Sequence, residues 1–345
     1  MDSIGELKNR SEHDAANDEA NRNSASLLAK TPETNNGSAP TVIMLGGFGR
    51  SGSTLLERCL AQSEDFVGLG ELVHLWERGL QNNELCGCGA AFMDCPFWQD
   101  IGRRAFDGWS HVDREETLSD RKTVVRNRYL PELILRKGFR SRRLPRKRFI
   151  AVLNRLYQAA YQSSGHRILV DSSKHPAYAY LLRAVRVDLR CVLVVRDPRG
   201  VAYSWSKIVK RPETGSRGED MPRYSITASI FNWTTYSIMF HALALLKVPV
   251  MTVHYEDFMT APDVTLRQIH SFAGLGPDSK LPRFEGQQIV LNAHHTVAGN
   301  PMRFKVGEVK LKLDVAWRKK MTRKDRQLAG LLSFPLRMMY KLGRR

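Results

Sequence analysis

The sequence predicts an α/β fold in which a mainly parallel central sheet lies between two layers of helices. Short apolar runs rich in β-branched residues alternate along the chain with segments that carry helix-start signals. This order of strand, loop and helix favours right-handed crossovers between parallel strands. The predicted strands are residues 41–45, 168–171, 190–195 and 249–257. The predicted helices are residues 53–60, 176–187, 224–247 and 261–273, with a further helix beginning at Pro198.

The first strand is followed by a glycine-rich segment, residues 46–54, with the sequence Gly-Gly-Phe-Gly-Arg-Ser-Gly-Ser-Thr. The N–H groups of such a turn and the dipole of the following helix form a binding site for an anion. Residues 47–54 almost fit the nucleotide-binding pattern G-x-x-x-x-G-K-[ST], but Ser53 stands in the lysine position and Arg50 brings a cation into the loop. The segment is therefore better suited to a 5′-phosphate that carries a transferable group than to a nucleoside triphosphate.

A second polar motif follows the strand predicted at residues 190–195. Arg196 ends that strand, at the edge of a parallel sheet where ligands bind, and Pro198 suits the first turn of the next helix. Ser204 lies eight residues after Arg196, about two helical turns along. Taken alone, this motif is better explained by an arginine paired with Asp197 and an ordinary helical serine, so its meaning depends on the first loop.

Together the two motifs resemble those of the sulfotransferases, enzymes that use 3′-phosphoadenosine 5′-phosphosulfate (PAPS). In that family an R-S-G-[ST]-T segment follows the first strand, and a strand-end arginine and a serine eight residues later hold the 3′-phosphate. The resemblance spans residues 41–320, and it is greater to the bacterial and tyrosyl-protein type than to the animal cytosolic type. It implies a P-loop-like domain, PAPS as the cofactor with PAP as its product, and transfer to an acceptor hydroxyl without a metal ion.

The resemblance also implies which residues bind the cofactor. The 5′ side is assigned to Arg50, Ser51, Gly52, Ser53 and Thr54. The 3′-phosphate is assigned to Arg196 and Ser204, and a late loop at residues 299–304 adds Arg303 as a further phosphate contact.

Two residues are candidates for the general base. Glu71 lies at about the offset from Arg50 at which tyrosyl-protein-type sulfotransferases carry a catalytic glutamate, and its alternative role is to cap the following helix. His175 lies in Asp-Ser-Ser-Lys-His-Pro, which resembles the K-T-H-x-P segment of cytosolic members, although here the lysine stands directly beside the histidine. We favour Glu71 as the base and expect partial desolvation to raise its pKa. Lys174 is assigned with Arg50 to the leaving oxygen, and His175 to acceptor binding or packing.

Three of the five cysteines, Cys86, Cys88 and Cys95, lie close together after Glu71. They could bind zinc if His74 or another group supplied a fourth ligand, or they could form a local disulfide. Because a C-x-C pair is a weak zinc signal, the sequence favours reduced or redox-active thiols in a loop that borders the acceptor site.

The net charge of +18 arises mainly in two basic stretches. Residues 121–149 hold 12 Lys/Arg and one Glu, and residues 303–345 hold 14 Lys/Arg against three acids. A positive field steers an anionic cofactor, but the surplus suggests that the acceptor is anionic too, such as a polysaccharide or a lipid headgroup. The mixed apolar and basic residues 331–345 suggest peripheral membrane contact, against the favoured alternative of a basic face docked on the domain. No nucleic-acid-binding signature accompanies the charge, so no specific nucleic acid is expected.

The chain divides into an N-terminal segment, residues 1–40, whose polar composition predicts disorder, and a domain over residues 41–345. We expect a mostly helical insertion at about 75–165 and a basic helical tail at about 318–345. The sequence shows no signal peptide and no run of transmembrane length, which predicts a cytoplasmic enzyme. Two other functions stay open. One is a P-loop kinase-like enzyme, which Ser53 disfavours, and the other is an inactive basic scaffold that binds anionic lipid or nucleic acid.

Overall fold

The computed structural model describes residues 39–135, 140–210 and 220–342. The disorder expected at residues 1–40 falls, apart from residues 39 and 40, outside the described residues. The central sheet consists of β1 (Thr41–Gly46), β2 (Phe66–Gly70), β3 (Ile168–Lys174), β4 (Asp188–Val195) and β5 (Val250–His254). These strands lie in the order β2-β3-β1-β4-β5, and every neighbouring pair is parallel. The predicted α/β fold with a parallel central sheet is confirmed.

Helices cover both faces of the sheet. The α-helices are α1 (Ser53–Leu60), α2 (Pro96–Phe106), α3 (Arg114–Val124), α4 (Leu130–Ile134), α5 (Arg140–Ser163), α6 (Pro176–Leu182), α7 (Pro198–Ser206), α8 (Ile226–Leu243), α9 (Tyr255–Thr260), α10 (Pro262–Phe272), α11 (Ala316–Lys320), α12 (Arg323–Leu332) and α13 (Phe334–Leu342). Short 3₁₀ turns occur at Leu72–His74, Phe92–Asp94, Trp109–His111, Asn127–Tyr129, Ala244–Leu246 and Pro301–Phe304, and a π-helix at Leu75–Gln81. A separate antiparallel pair is formed by β6 (Gln288–Leu291) and β7 (Gly307–Lys310).

Alternate residues of β1 face two hydrophobic cores, one on each face of the sheet. Val42 and Met44 pack into the first core, together with α6, α8 and the helices between β2 and β3. Ile43 and Leu45 pack into the second core, together with α1, α9, α10 and the β6–β7 pair. A strand buried on both faces needs apolar residues at every position, which explains the unbroken apolar run in the sequence. The two cores give the molecule its three layers.

Three predicted boundaries are wrong by several residues. Strand β3 continues to Lys174, which pairs with Gly46 of β1 at the end of the ladder. Helix α6 ends at Leu182 instead of residue 187. The Tyr-Glu-Asp segment at residues 255–257 begins α9 instead of ending a strand. Its two acidic residues fall in the first helical turn, where the helix dipole stabilises negative charge.

The segment between β2 and β3 is mostly helical. It begins directly after Glu71 with the 3₁₀ turn and the π-helix, and its helices α2 and α3 pack against the long helix α5. Near the C-terminal end, α12 packs against α7 and α8. Within the described ranges, no helix combines the length and the apolar character needed to cross a membrane.

Candidate active site

A cavity of about 460 Å³ opens beside the carboxyl ends of β1, β3 and β4. This is the edge of a parallel sheet at which ligands bind, and the volume is in the usual range for small-molecule sites. The cavity brings together most of the residues that the sequence predicts for the site. They are Arg50, Gly52, Ser53, Thr54, Glu71, Lys174, His175, Arg196 and Ser204.

The loop between β1 and α1 leaves several backbone N–H groups available at the cavity. Gly47 (φ 116°) and Gly52 (φ 91°) adopt left-handed conformations that disfavour a side chain. Helix α1 begins without a side-chain cap. Its first helical hydrogen bond joins the N–H of Leu56 to the C=O of Gly52 at 3.0 Å. The N–H groups of residues 53–55 therefore have no acceptor within the helix, an arrangement that suits a bound anion.

Arg50 holds a half-buried positive charge at the same loop. Its backbone adopts φ 71°, which is costly for a residue with a side chain, and its guanidinium carbon lies 5.1 Å from the ring centroid of Trp205. The Nε and Nη2 atoms are buried and have no hydrogen-bond partner within the described parts of the chain. Burial lowers the pKa of Arg50, and the nearby Glu71 carboxylate opposes that shift. Buried donors without partners are uncommon, and here they indicate a site for an anionic group.

The Glu71 carboxylate lies in a cluster of basic groups. Its Oε1 accepts a hydrogen bond from Nζ of Lys174, and its Oε2 lies 3.6 Å from Nε2 of His74. Burial by itself would raise the pKa of Glu71, but the positive charge of Lys174 outweighs burial and holds the pKa at about 2. The expectation of a raised pKa for Glu71 is therefore wrong, because it included desolvation and omitted the ion pair.

His175 lies in the same cavity as Glu71, so the two candidate bases are neighbours. The ring centroid of His175 is 6.3 Å from that of His74 and 6.0 Å from that of Tyr236. Burial lowers the pKa of His175, and it lowers the pKa of His74 to about 3. Both imidazoles are therefore neutral near neutral pH. A neutral imidazole can accept a proton, so His175 remains a candidate base beside Glu71.

Arg196 reaches the cavity from the end of β4. Its Nη1 donates to the C=O of Arg50 at 3.1 Å, and its Nη2 donates to the backbone and carboxylate oxygens of Asp314 at 3.0 and 3.1 Å. The guanidinium carbon lies 4.5 Å from the ring centroid of Tyr255. Ser204, on α7, lines the same cavity and is half-buried. An anion that binds Arg196 must therefore compete with the Asp314 carboxylate.

Two residues assigned to the cofactor are placed differently from the expectation. Ser51 is buried, and its Oγ donates to the C=O of Phe48 at 2.7 Å, so its side chain stabilises the loop. Arg303 is only 1% exposed and donates to the C=O groups of Thr296 at 2.8 Å and Leu85 at 2.7 Å. The prediction of Arg303 as a phosphate contact is wrong, because its guanidinium joins two backbone segments and does not line the cavity.

Sequence reasoning missed several residues of the cavity. Trp205, on α7, donates its indole N–H to the C=O of Gly49 at 2.9 Å and so fixes the loop between β1 and α1. It follows Ser204 directly, so the second motif itself held a signal for it. Asp314 and Tyr236 also line the cavity, but they belong to no local pattern and reach it through tertiary packing alone.

The sequence is similar to a known protein family. A sequence model of the sulfotransferase family matches residues 40–278. The sulfotransferase domain of the olefin synthase from Synechococcus PCC 7002 is 18% identical, with 88% of this chain and 98% of that chain covered and a TM-score of 0.43. Sulfotransferase STF1 from Mycobacterium tuberculosis H37Rv is 18% identical over 74% of this chain and 73% of that chain, with a TM-score of 0.38. A sulfotransferase from Alicyclobacillus acidocaldarius is 14% identical over 87% of this chain and 96% of that chain, with a TM-score of 0.35. No curated protein matches the sequence.

Proposed function

Since the chain belongs to the sulfotransferase family, we propose that it transfers the sulfuryl group of PAPS to a hydroxyl group of an acceptor. The observation that carries the proposal is the half-buried guanidinium of Arg50, whose buried Nε and Nη2 atoms have no partner in the described chain. Arg50 lies beside the uncapped N-terminus of α1, so a cation and free backbone N–H groups border the same cavity. A sulfate or phosphate ester provides the acceptor oxygens that both need.

Two of the residues that we propose for catalysis, Glu71 and Lys174, already contact one another, and Arg50 lines the same cavity. When bound, PAPS supplies the sulfuryl group, and PAP is the product. Glu71 accepts the proton of the acceptor hydroxyl, while Lys174 and Arg50 neutralise the charge on the departing oxygen. A carboxylate with a pKa of about 2 attracts a proton weakly. Lys174 must therefore turn from Glu71 toward the departing oxygen, which raises the pKa of Glu71 when the hydroxyl has to be deprotonated.

We also propose that the acceptor is anionic. Lys174 and Arg78 line the cavity together with Glu71, so the surroundings of the candidate base carry positive charge. The stretches at residues 121–149 and 303–345 carry more positive charge than the steering of a cofactor requires. A polysaccharide or a lipid headgroup with anionic groups has the complementary charge.

Calorimetric titration of the protein with PAP, ATP and AMP tests the cofactor. We expect tight binding of PAP and weaker binding of ATP and AMP, because Arg196 and Ser204 are assigned to the 3′-phosphate. Arg50→Gln and Arg196→Ala should each weaken PAP binding by roughly tenfold or more, since hydrogen bonds to charged groups contribute about 1.5–3 kcal/mol. Arg199→Ala is the matched control, because Arg199 lies three residues after Arg196 on α7, pairs with Asp197 at 2.6 Å and does not line this cavity.

Asp314→Asn adds a variant for which we expect tighter binding. The substitution removes the carboxylate that competes for Arg196, and asparagine can keep the Oδ1 hydrogen bond to the N–H of Ala316, which is 3.0 Å long. PAP binding should strengthen by roughly two- to tenfold. ATP binding as tight as PAP binding would favour a kinase-like enzyme. Polyanion binding that survives Arg196→Ala, without turnover, would favour the inactive scaffold.

A further inference from the structure

Four potential metal ligands meet outside the active-site cavity. The loop between the π-helix and α2 carries Cys86, Cys88 and Cys95, and the segment that precedes the late loop carries His295. The three Sγ atoms and one imidazole nitrogen all lie within 4.8 Å of one another. Cys86 and Cys95 are buried, whereas Cys88 and His295 are half-buried. We call these four residues the Cys₃His cluster.

The distance between the sulfurs of Cys88 and Cys95 fits a tetrahedral metal site better than a disulfide. Sγ of Cys88 lies 3.8 Å from Sγ of Cys95, and Nδ1 of His295 lies 3.1 Å from the same Cys95 sulfur. A tetrahedron with Zn–S bonds of about 2.3 Å has sulfur–sulfur edges of about 3.8 Å. A disulfide needs about 2.05 Å, and all five cysteines are free thiols.

The backbone around the cluster stabilises negative charge on sulfur. The N–H of Cys88 donates to the sulfur of Cys86, and the N–H of Trp98 donates to the sulfur of Cys95. Cys95 is the N-terminal flanking residue of α2, so the helix dipole also favours a thiolate there. The chain turns tightly over residues 86–89, where the N–H of Gly89 donates to the C=O of Cys86 at 2.8 Å. In a metal site, these backbone N–H groups would be second-shell partners that hydrogen-bond to the thiolate ligands.

The fourth ligand is not the one that the sequence suggests. His74 lies 3.6 Å from the Glu71 carboxylate and belongs to the active-site cavity. The fourth ligand position, which the sequence suggested for His74, is filled by His295. In sequence, His295 lies 200 residues from Cys95. Its ring stacks on Phe97, with centroids 5.0 Å apart and planes 17° apart, which fixes the orientation of the imidazole. A pattern of neighbouring residues could not reveal a ligand at that separation.

We propose that Cys86, Cys88, Cys95 and His295 bind a structural Zn²⁺ ion. Three thiolates and one imidazole form one of the usual ligand sets of structural zinc, and soft sulfur ligands disfavour Mg²⁺ and Ca²⁺. Because the protein supplies all four ligands, no position stays open for substrate or water. The ion therefore supports the fold and takes no part in group transfer.

Zinc at this position would join the cysteine loop to the segment that holds Glu71 in place. The N–H of Gly87 donates to the C=O of Thr296 at 2.9 Å, beside His295. The next residue, Val297, accepts the N–H of Glu71 at 2.8 Å and donates its own N–H to the C=O of Leu69 at 2.9 Å. The cluster thus lies two residues from the backbone contact of the candidate base.

Metal analysis of tag-free protein, purified without chelators, tests the proposal directly. We expect about one zinc ion per chain by mass spectrometry, and tetrahedral d–d bands with thiolate charge transfer after exchange of zinc for Co²⁺. His295→Ala and Cys95→Ser should lose the zinc and the cobalt bands. The matched controls are His294→Ala, whose imidazole contacts Gln62 at 2.6 Å, and Cys191→Ser, a buried thiol of β4. Both controls should keep the metal.

Two results would overturn the proposal. The first is wild-type protein without zinc that gives no cobalt bands on titration with Co²⁺. The second is zinc that stays at full stoichiometry in both His295→Ala and Cys95→Ser, which would place the ion elsewhere. The wild-type measurement needs no substitution, so a variant that fails to fold cannot obscure the answer.

Discussion

Glu71 shows within one side chain how burial and charge act on the pKa in opposite directions. Burial favours the neutral acid, yet the ion pair with Lys174 keeps the carboxylate ionised, with a pKa of about 2. In the state described here, the candidate base is therefore ready to accept a proton but binds one weakly. The same lysine that suppresses its basicity is the residue assigned to the leaving oxygen. If the Lys174 side chain turns from Glu71 to the leaving oxygen, the pKa of Glu71 rises and the leaving oxygen gains a positive charge beside it.

Glu71→Gln tests the role of this carboxylate. The substitution keeps the size of the side chain but removes the base, so turnover should fall by roughly two to four orders of magnitude. PAP affinity should stay or increase, because Lys174 loses the partner that competes for its ammonium group. Kinetics with a hydroxyl acceptor found by screening and calorimetry with PAP measure the two effects. Near-normal turnover in this variant, with collapse in His175→Ala, would assign the base to His175.

The sequence predicts the shared location of residues well where they directly follow a buried strand. Three cavity residues lie at or just beyond the carboxyl ends of parallel strands: Arg50, Lys174 and Arg196. Because these strand ends meet at one edge of the sheet, an apolar run followed by a polar residue predicts that the polar residue lies at that edge. Arg303 follows no strand of the sheet and was assigned from the resemblance of residues 299–304 to a late loop, and its partners are backbone carbonyls. One of them, on Leu85, is 218 residues away along the chain. A buried arginine with such partners looks the same in sequence as a phosphate ligand.

Helix α1 carries a buried carboxyl group that ties it to two strands. Oε1 of Glu57 accepts the N–H of Gly70 at 2.6 Å, and Oε2 accepts the hydroxyl of Ser172 at 2.7 Å. Glu57 therefore links α1 to the end of β2, one residue before Glu71, and to β3. Burial raises the pKa of Glu57 from 4.5 to about 7.

Glu57→Gln should change how stability depends on pH. Between pH 4.5 and about 7, the folded protein keeps a proton on Glu57 that the unfolded chain releases. The contribution of this group to the free energy of unfolding therefore falls as pH rises through that window, by up to roughly 3 kcal/mol. Glutamine cannot ionise, so the stability of the variant relative to wild type should increase with pH. Urea unfolding of both proteins at about pH 5 and about pH 8 measures this, and a constant difference would contradict it.

Local patterns predict the strands and the glycine-rich loop after β1, but they do not predict which distant segments pack beside them. Apolar runs and glycines specify the turn from β1 to α1 within about 20 residues of sequence. Residues 294–297 reach Glu71 and the cysteine loop because Val297 bridges to Gly70 in a parallel pair. That bridge depends on the completed sheet. The missing zinc ligand, His295, could therefore be found only from the structure.

The positive charge of the molecule accompanies exposed apolar side chains on its last helices. Leu331 is 73% exposed and Phe334 52% exposed, on α12 and α13. Their opposite side is docked, since Ala329 is buried and Tyr340 packs against Trp233 with ring centroids 5.9 Å apart. The surface left outside combines apolar and basic residues, the composition of helices that bind at a membrane surface. We propose that α12 and α13 contact an anionic membrane.

Vesicle sedimentation tests this proposal at the scale of the whole molecule. The protein should bind vesicles of phosphatidylcholine with phosphatidylserine and should not bind phosphatidylcholine alone. Arg323→Gln with Lys324→Gln removes two exposed charges from α12. At about 1 kcal/mol for each basic residue near an anionic surface, binding should weaken roughly thirtyfold. PAP affinity should stay unchanged, because neither residue lines the cavity.

The matched control for this pair is Arg143→Gln with Lys147→Gln, two exposed residues of α5 whose loss changes the net charge equally. If α12 and α13 form the binding surface, the α5 pair should have a much smaller effect, because a surface potential decays within about 10 Å at 0.1 M salt. Equal weakening by both pairs would mean that vesicle binding follows net charge and not a defined surface. Failure to bind phosphatidylserine vesicles would remove the membrane proposal. The basic helices would then act through the field around the protein, which steers anionic ligands toward the cavity.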